Sequence, residues 1–191
     1  MGDRAGDHAV TEWIVGPDSG ELLIHTGVTG RAARMGHRLT IAMGRWQAVL
    51  RDEDGHLRGV ELTVDLDSLS VLRGEGGVTP LSGPEKVLVV ANAMKLFRVQ
   101  RFPQARFAST DVESAGETLR VSGTLDLNGH TGAQTVDVRV EDAGEFWRLS
   151  GRARVRHSEF GIKQYSMLMG AMKVADEVDV TLTATVAKDR T

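Results

Sequence analysis

The feature that most constrains this chain is a two-residue period. Seven or eight stretches alternate apolar and polar side chains, and successive residues of a strand point to opposite faces of a sheet. In Met35-Gly36-His37-Arg38-Leu39-Thr40-Ile41-Ala42-Met43 the odd positions share one face, so His37 travels with Met35, Leu39, Ile41 and Met43. Val60, Leu62, Val64 and Leu66 alternate with Glu61, Thr63 and Asp65. Val178, Val180, Leu182, Ala184 and Val186 alternate with Asp179, Thr181, Thr183 and Thr185. Repeated in a chain without long apolar helices, this pattern predicts an all-β protein: a closed barrel with an apolar interior, large enough to contain a lipophilic molecule.

Composition bounds the function. A chain of 191 residues supports one domain with a sizeable core. The reading is a loose N-terminal tail over residues 1–10 and a single barrel domain over residues 11–188. The net charge of −3 disfavours nucleic acid and an anionic membrane as partners. With no cysteine, disulfides, thiol catalysis and thiolate metal sites are excluded. The opening Met1-Gly2-Asp3-Arg4-Ala5-Gly6-Asp7-His8 lacks an apolar signal core, and Gly6 stands where myristoylation prefers Ser or Thr. No run approaches the roughly 20 apolar residues of a membrane-spanning helix. These features predict a cytoplasmic protein with no integral membrane segment.

Turn chemistry divides the chain. Pro17-Asp18-Ser19-Gly20 predicts a hairpin joining Trp13-Ile14-Val15 to the strand from Glu21 to Thr26. Gly44 marks a bend between the strand ending at Met43 and Trp46-Gln47-Ala48-Val49-Leu50. Arg73-Gly74-Glu75-Gly76-Gly77 predicts a flexible loop at the barrel edge; it lacks the Lys-Ser/Thr of a phosphate-binding loop. The one helix is predicted over about residues 84–100, with Ser82 as its cap and Pro84 in its first turn. Val87, Val90, Ala91, Met94 and Phe97 or Arg98 fall at helical spacing and predict the face that packs on the barrel. Asn128-Gly129 predicts a tight hairpin.

Six passages in order carry a family resemblance. They are Gly20-Glu21-Leu22-Leu23-Ile24-His25-Thr26-Gly27, Met35-Gly36-His37, Leu66-Asp67-Ser68-Leu69-Ser70-Val71, and Phe102-Pro103-Gln104-Ala105-Arg106-Phe107-Ala108-Ser109. Val121-Ser122-Gly123-Thr124-Leu125-Asp126-Leu127-Asn128-Gly129 and His157-Ser158-Glu159-Phe160-Gly161-Ile162 follow, before a strand opening at Asp176-Glu177-Val178. From Gly20 to Val186 the chain resembles the YceI-like family of bacterial lipid-binding proteins. The resemblance implies an eight-stranded antiparallel, lipocalin-like barrel with one helical insertion that holds a long polyisoprenoid or similar amphiphile. Members of that family are often periplasmic, whereas this N-terminus predicts the cytoplasm.

A lipid container needs abundant apolar lining and a few polar groups to orient the ligand head. The lining read from the inward positions is Leu39, Ile41, Met43, Leu62, Val64, Val121, Leu125, Leu149 and Val155, with His37 as the internal polar contact and His157 as a second. Met35, Met43, Met167, Met169 and Met172 are flexible side chains suited to an irregular tail. Arg73, Arg101, Lys163 and Tyr165 are candidates for the mouth. Each buried methylene is worth about 0.8 kcal/mol, so about five isoprene units approach the practical affinity ceiling of about 20 kcal/mol. The head therefore adds orientation more than affinity. His8, His25, His56 and His130 read as surface.

Catalytic motifs are missing from the sequence. There is no Gly-x-Ser-x-Gly elbow and no His-x-His or His-Glu-x-x-His spacing, and Ser158 and its neighbour His157 point to opposite sides of a strand. The reading is therefore a non-enzymatic protein with no metal and no cofactor, whose partner is a long-chain isoprenoid, an isoprenoid quinone or a similar amphiphile. The alternative is an enzyme that uses an inward histidine as acid or base on a small lipophilic substrate. Trp13 and Phe146 are candidates for a homodimer contact.

Overall fold

A computed structural model describes residues 10–188. The predicted tail at residues 1–9, with His8, lies outside the described residues, and Val10 already belongs to the first strand. The first half contains β1 (Val10–Val15), β2 (Gly20–His25), β3 (Val28–Thr29), β4 (His37–Met43), β5 (Trp46–Glu53), β6 (His56–Asp65) and β7 (Leu69–Gly76). The helix α1 (Gly83–Leu96) follows. The second half contains β8 (Gln104–Ala115), β9 (Thr118–Leu127), β10 (His130–Ala143), β11 (Phe146–Arg156), β12 (Ser166–Met167), β13 (Met172–Val174) and β14 (Glu177–Ala187).

One antiparallel sheet of 11 strands runs in the order β1-β5-β6-β8-β9-β10-β11-β14-β2-β4-β7. The count exceeds the expected eight because three long strands are broken at corners. β4 runs into β5 through Gly44-Arg45, β6 into β7 through a 3-10 turn at Leu66–Ser68, and β1 into β2 through residues 16–19. The halves of each broken strand pair with the halves of the next: β1 with β5 and β2 with β4, then β5 with β6 and β4 with β7. Each bent strand therefore traces one path around the ring, and β14 pairs with β2 to close it. The corners are stitched together, with Gly44 N donating to Ser68 O and Asp65 N to Arg45 O, each at 3.0 Å.

The predicted hairpin at Pro17–Gly20 is one of these corners. The chain turns there, but β1 and β2 do not pair with each other; both lie against the β4–β5 strand. Gly20 is required by closeness, since a Cβ at this position would lie 2.3 Å from the carbonyl oxygen of Thr183. Turn residues report a change of direction and cannot say whether the arms return to each other.

Two other expectations shift. Arg73–Gly76 is strand rather than loop: β7 continues to Gly76 and pairs with β4, placing Gly74 opposite Leu39 and Gly76 opposite His37. The helix carries the expected Ser82 cap, with Ser82 Oγ accepting from Glu85 N at 3.4 Å and Ser82 N donating to Glu85 Oε2 at 2.7 Å. Its inward face is as expected in part, since Val90 and Phe97 pack against the core, but it is shifted around the helix. Leu88, Val89, Asn92, Ala93, Leu96 and Phe97 look into the barrel, whereas Val87 is 70% exposed. The run Val87-Leu88-Val89-Val90-Ala91 is apolar all round, so periodicity could not choose a face and packing did.

The Asn128-Gly129 hairpin is present, with φ of 54° and 77° at its two residues, as a tight primed turn demands. Asn128 is also buried. Its side-chain amide donates to Phe160 O at 2.9 Å, and its Oδ1 accepts from Arg98 Nε at 2.8 Å. The outward parity is marked by exposed cross-strand ion pairs such as Arg152–Asp179 and Arg156–Glu177. Such pairs add only about 0–1 kcal/mol each, so the apolar interior dominates the energetics.

Candidate functional site

The barrel interior is not filled by its own side chains. It holds a cavity of about 600 Å³, bordered by α1 as well as by the strands. The inward positions of every strand of the ring contribute to the wall, as the alternation requires. All eleven residues singled out from the sequence border it: His37, Leu39, Ile41 and Met43 from β4, Leu62 and Val64 from β6, Val121 and Leu125 from β9, Leu149 and Val155 from β11, and His157 just beyond β11. Ile41, Met43, Val64, Val121, Leu149 and Val155 are buried, while Leu39, Leu62 and Leu125 keep surface facing the void.

Sequence reasoning missed the roof. Leu88, Val89, Asn92, Ala93 and Leu96 of α1, with Phe97 at its C-cap, close the cavity from above β7. The signal lay in the sequence as a helix with several equivalent apolar faces, and only the tertiary fold selects one.

Short elements build the rim of the mouth. β12, β13 and β3 form a three-stranded sheet, and a 3-10 turn at Ala33–Met35 packs on it. Met35, Met167 and Met172 border the cavity as expected, together with Lys163 and Tyr165. Met169, Arg73 and Arg101 do not; Met169 is fully exposed at the outer tip of the rim. Asn92 on the helix donates to the Tyr165 hydroxyl at 3.1 Å and ties roof to rim.

The two inward histidines have different environments. His37 sits at the rim, its Nε2 2.7 Å from the carbonyl oxygen of Thr79. Because a carbonyl only accepts, Nε2 carries the proton, and in the neutral ring Nδ1 is the lone-pair nitrogen. His157 opens a 3-10 turn, anchored by its backbone N–H on Asp176 O at 2.8 Å. Burial pushes its imidazole below the usual histidine range, and the nearby Asp176 carboxylate only partly opposes this. Asp176 is itself held below the usual carboxylate range, chiefly by the hydrogen bond from Ser158 Oγ at 2.6 Å. Ser158 is thus turned to a carboxylate and away from any histidine ring. Among the described residues no group of three or more His, Asp or Glu side chains assembles a metal site. Likewise, none of the helices is long and apolar enough to cross a membrane.

The arrangement supplies a predominantly apolar wall with a minority of polar side chains on it, among them His37, Asn92, Gln134, His157, Lys163 and Tyr165. Known proteins share the architecture. The barrel superposes on BcnA of Burkholderia cenocepacia with a TM-score of 0.67 at 18% identity, covering 88% of this chain and 96% of that one. The YCEI protein of Campylobacter jejuni gives 0.60 at 13% identity, covering 78% and 85%. At these identities the likeness is one of fold. A UPF0312 protein of Enterobacter sp. (strain 638) is 32% identical over 89 residues, 46% of each chain. The YceI protein of Salmonella arizonae is 37% identical over 51 residues, 27% of each. The matches thus span about half the length or less of these curated relatives. The YceI-like domain model matches residues 17–186, the barrel from β2 through all but the last residue of β14, and the chain belongs to the YceI-like family.

Proposed function

We propose that this protein binds and carries a long-chain lipophilic molecule, such as a polyisoprenoid or an isoprenoid quinone, inside the barrel and without catalysing a reaction on it. The observation that carries the reading is the cavity of about 600 Å³ walled by Leu, Ile, Val, Met and Phe side chains. That size lies within the range of small-molecule pockets, roughly 300–1,000 Å³. At the ~30 Å³ that one water occupies in the liquid, taken as the share of one heavy atom, it holds roughly 20 heavy atoms, or about four isoprene units. Dispersion and the hydrophobic effect suffice to retain such a chain.

One observation favours the alternative of an acid–base enzyme: His157 borders the cavity, and burial lowers its pKa from the ordinary histidine value. Against it, the hydroxyl next to it in sequence is bonded to Asp176, and His37 is bonded to a backbone carbonyl. Among the described residues no hydrogen bond pairs either ring with a nucleophile.

Titration of ligand-free protein with isoprenoid alcohols of increasing length, followed by tryptophan fluorescence, tests the proposal. Affinity rises with each isoprene unit and levels off near about four units, when the cavity is full. Affinity independent of chain length would place the ligand elsewhere and remove the proposal.

A further inference from the structure

The rim of the cavity carries apolar side chains that no part of the described protein covers. Met35, Val78, Leu88 and Met167 border the cavity mouth and are still 46–76% exposed. Leu168 and Met169 continue the row outward, half exposed and fully exposed respectively. Both hold positive φ, 52° each, a conformation that non-glycine residues rarely adopt. The backbone is bent to present two large apolar side chains to the outside.

Cations outnumber acids around this row. Residues 26–43 and 160–175, which build the rim, contain Arg31, Arg34, Arg38, Lys163 and Lys173 and no acidic residue, in a chain whose net charge is −3. Among the described residues none of the five cations enters an ion pair. Acids flank the row as well: Glu85 and Asp176 accept from Ser82 and Ser158 and remain anionic, and Glu75 stands opposite Arg38 in the β4–β7 ladder, so the five cations outnumber these acids without being alone. Arg31 and Met169 border one shallow surface depression, so cation and apolar tip lie side by side. A hydrogen bond from Ala32 N to Ala171 O at 2.9 Å fixes the two rim segments to each other.

We propose that this rim is a docking surface for an anionic phospholipid bilayer, with Met35, Met167, Leu168 and Met169 entering the interface and the five cations meeting lipid phosphates. Exposed apolar side chains flanked by Lys and Arg are the pattern of proteins that lie on a membrane surface, and each cation near an anionic leaflet strengthens the attraction. Net charge alone argues against such a partner; the distribution of charge reverses that expectation locally. The surface is continuous with the cavity, so a lipophile can pass between bilayer and barrel without crossing water. The inference goes beyond the binding reading, since docking is read without any cavity ligand.

Co-flotation with vesicles of equimolar phosphatidylcholine and phosphatidylglycerol, against vesicles of phosphatidylcholine alone, tests it. The full chain binds the anionic vesicles, and raising the salt releases it. Leu168→Ser/Met169→Ser and, separately, Arg31→Glu/Arg34→Glu each weaken binding by about tenfold or more while leaving the melting temperature unchanged. Equal binding to both vesicle types, no binding by the parent chain, or variants that bind as well as the parent overturns the proposal. A dimer in light scattering that Leu168→Ser/Met169→Ser dissolves, with no vesicle binding, also overturns it and makes the rim an interface between copies. Protein that docks on vesicles but takes up no isoprenoid alcohol would sink the cavity reading and leave the docking surface standing.

Discussion

His37 and Gly77 are in mutual contact across the cavity rim: a Cβ at Gly77 would lie 2.4 Å from His37 Nε2. Gly77 also holds φ at +75°, open to glycine and strained for any side chain. The glycine lets the segment after β7 close over the imidazole, so that Thr79 O reaches His37 Nε2 at 2.7 Å. The rim geometry therefore depends on one missing methyl group.

Gly77→Ala consequently destabilises the protein by about 1–3 kcal/mol, part from the left-handed backbone and part from the clash with His37. In a His37→Ala background the cost of Gly77→Ala falls by at least about 0.5 kcal/mol, the coupling expected for residues in contact. Urea denaturation of the four proteins in the cycle measures it. Additive costs would mean the two residues do not meet.

Gly151 faces the cavity from β11, and a Cβ placed there would find its nearest neighbours, Val136 and Leu182, at 3.7 and 3.9 Å. A larger side chain is accommodated by the void. Gly151→Leu raises the melting temperature by roughly 3–8 °C, through buried apolar area and lost glycine freedom, and lowers lipophile uptake. Differential scanning calorimetry paired with the isoprenoid titration reads both. A drop in stability would mean the interior is already filled.

Asn128 makes three contributions at once: a left-handed turn residue, a donor to Phe160 O, and an acceptor for Arg98. Asn128→Ala loses all three and leaves a buried carbonyl without its donor, at about 2–4 kcal/mol. Asn128→Gly restores the turn and recovers only the backbone share, about 1 kcal/mol. Equal melting temperatures for the two variants would contradict this partition.

The pH dependence carries a sign. His157 is held below its ordinary value when folded, chiefly by burial, so the unfolded chain takes up the proton first as pH falls. Its contribution is complete above the unfolded value of roughly 6.5 and is lost as pH drops from there toward the folded value. Asp176, also lowered, loses its contribution in a separate and more acidic window, as pH falls below the ordinary aspartate range toward its folded value. His157→Phe flattens stability against pH in the first window and leaves most of the second, whose main cause is the Ser158 hydrogen bond to Asp176. Denaturation midpoints measured across pH give the answer, and an unchanged slope in the variant would place the titration elsewhere.

The wall of the cavity was legible in sequence because one rule decides it. Once Leu62 is inside, so are Val60 and Val64, and every inward residue named on β4, β6, β9 and β11 borders the void. Corners were less legible. Pro17–Gly20 reads as a turn in either a hairpin or a bent strand, and only the pairing partner, β5 for Trp13 and β14 for Leu22, tells them apart. The roof was illegible for a different reason. From Val87 to Ala91 the helix offers apolar residues in every direction, so its inward face is set by the barrel beneath it. The rim methionines split the same way, since Met167 turns toward the cavity and Met169 outward through two left-handed residues that no alternation rule anticipates.

The measurement that bears most directly on the central claim is native mass spectrometry of the freshly purified protein, with organic extraction of whatever is released. The expected result is a bound species that dissociates as a prenyl or other long-chain lipid, held by the parent chain and by Thr63→Asp and lost from Leu62→Asp and Leu125→Asp. A bare protein mass that stays bare after incubation with prenyl lipids and quinones would contradict it, and so would equal retention by all three variants.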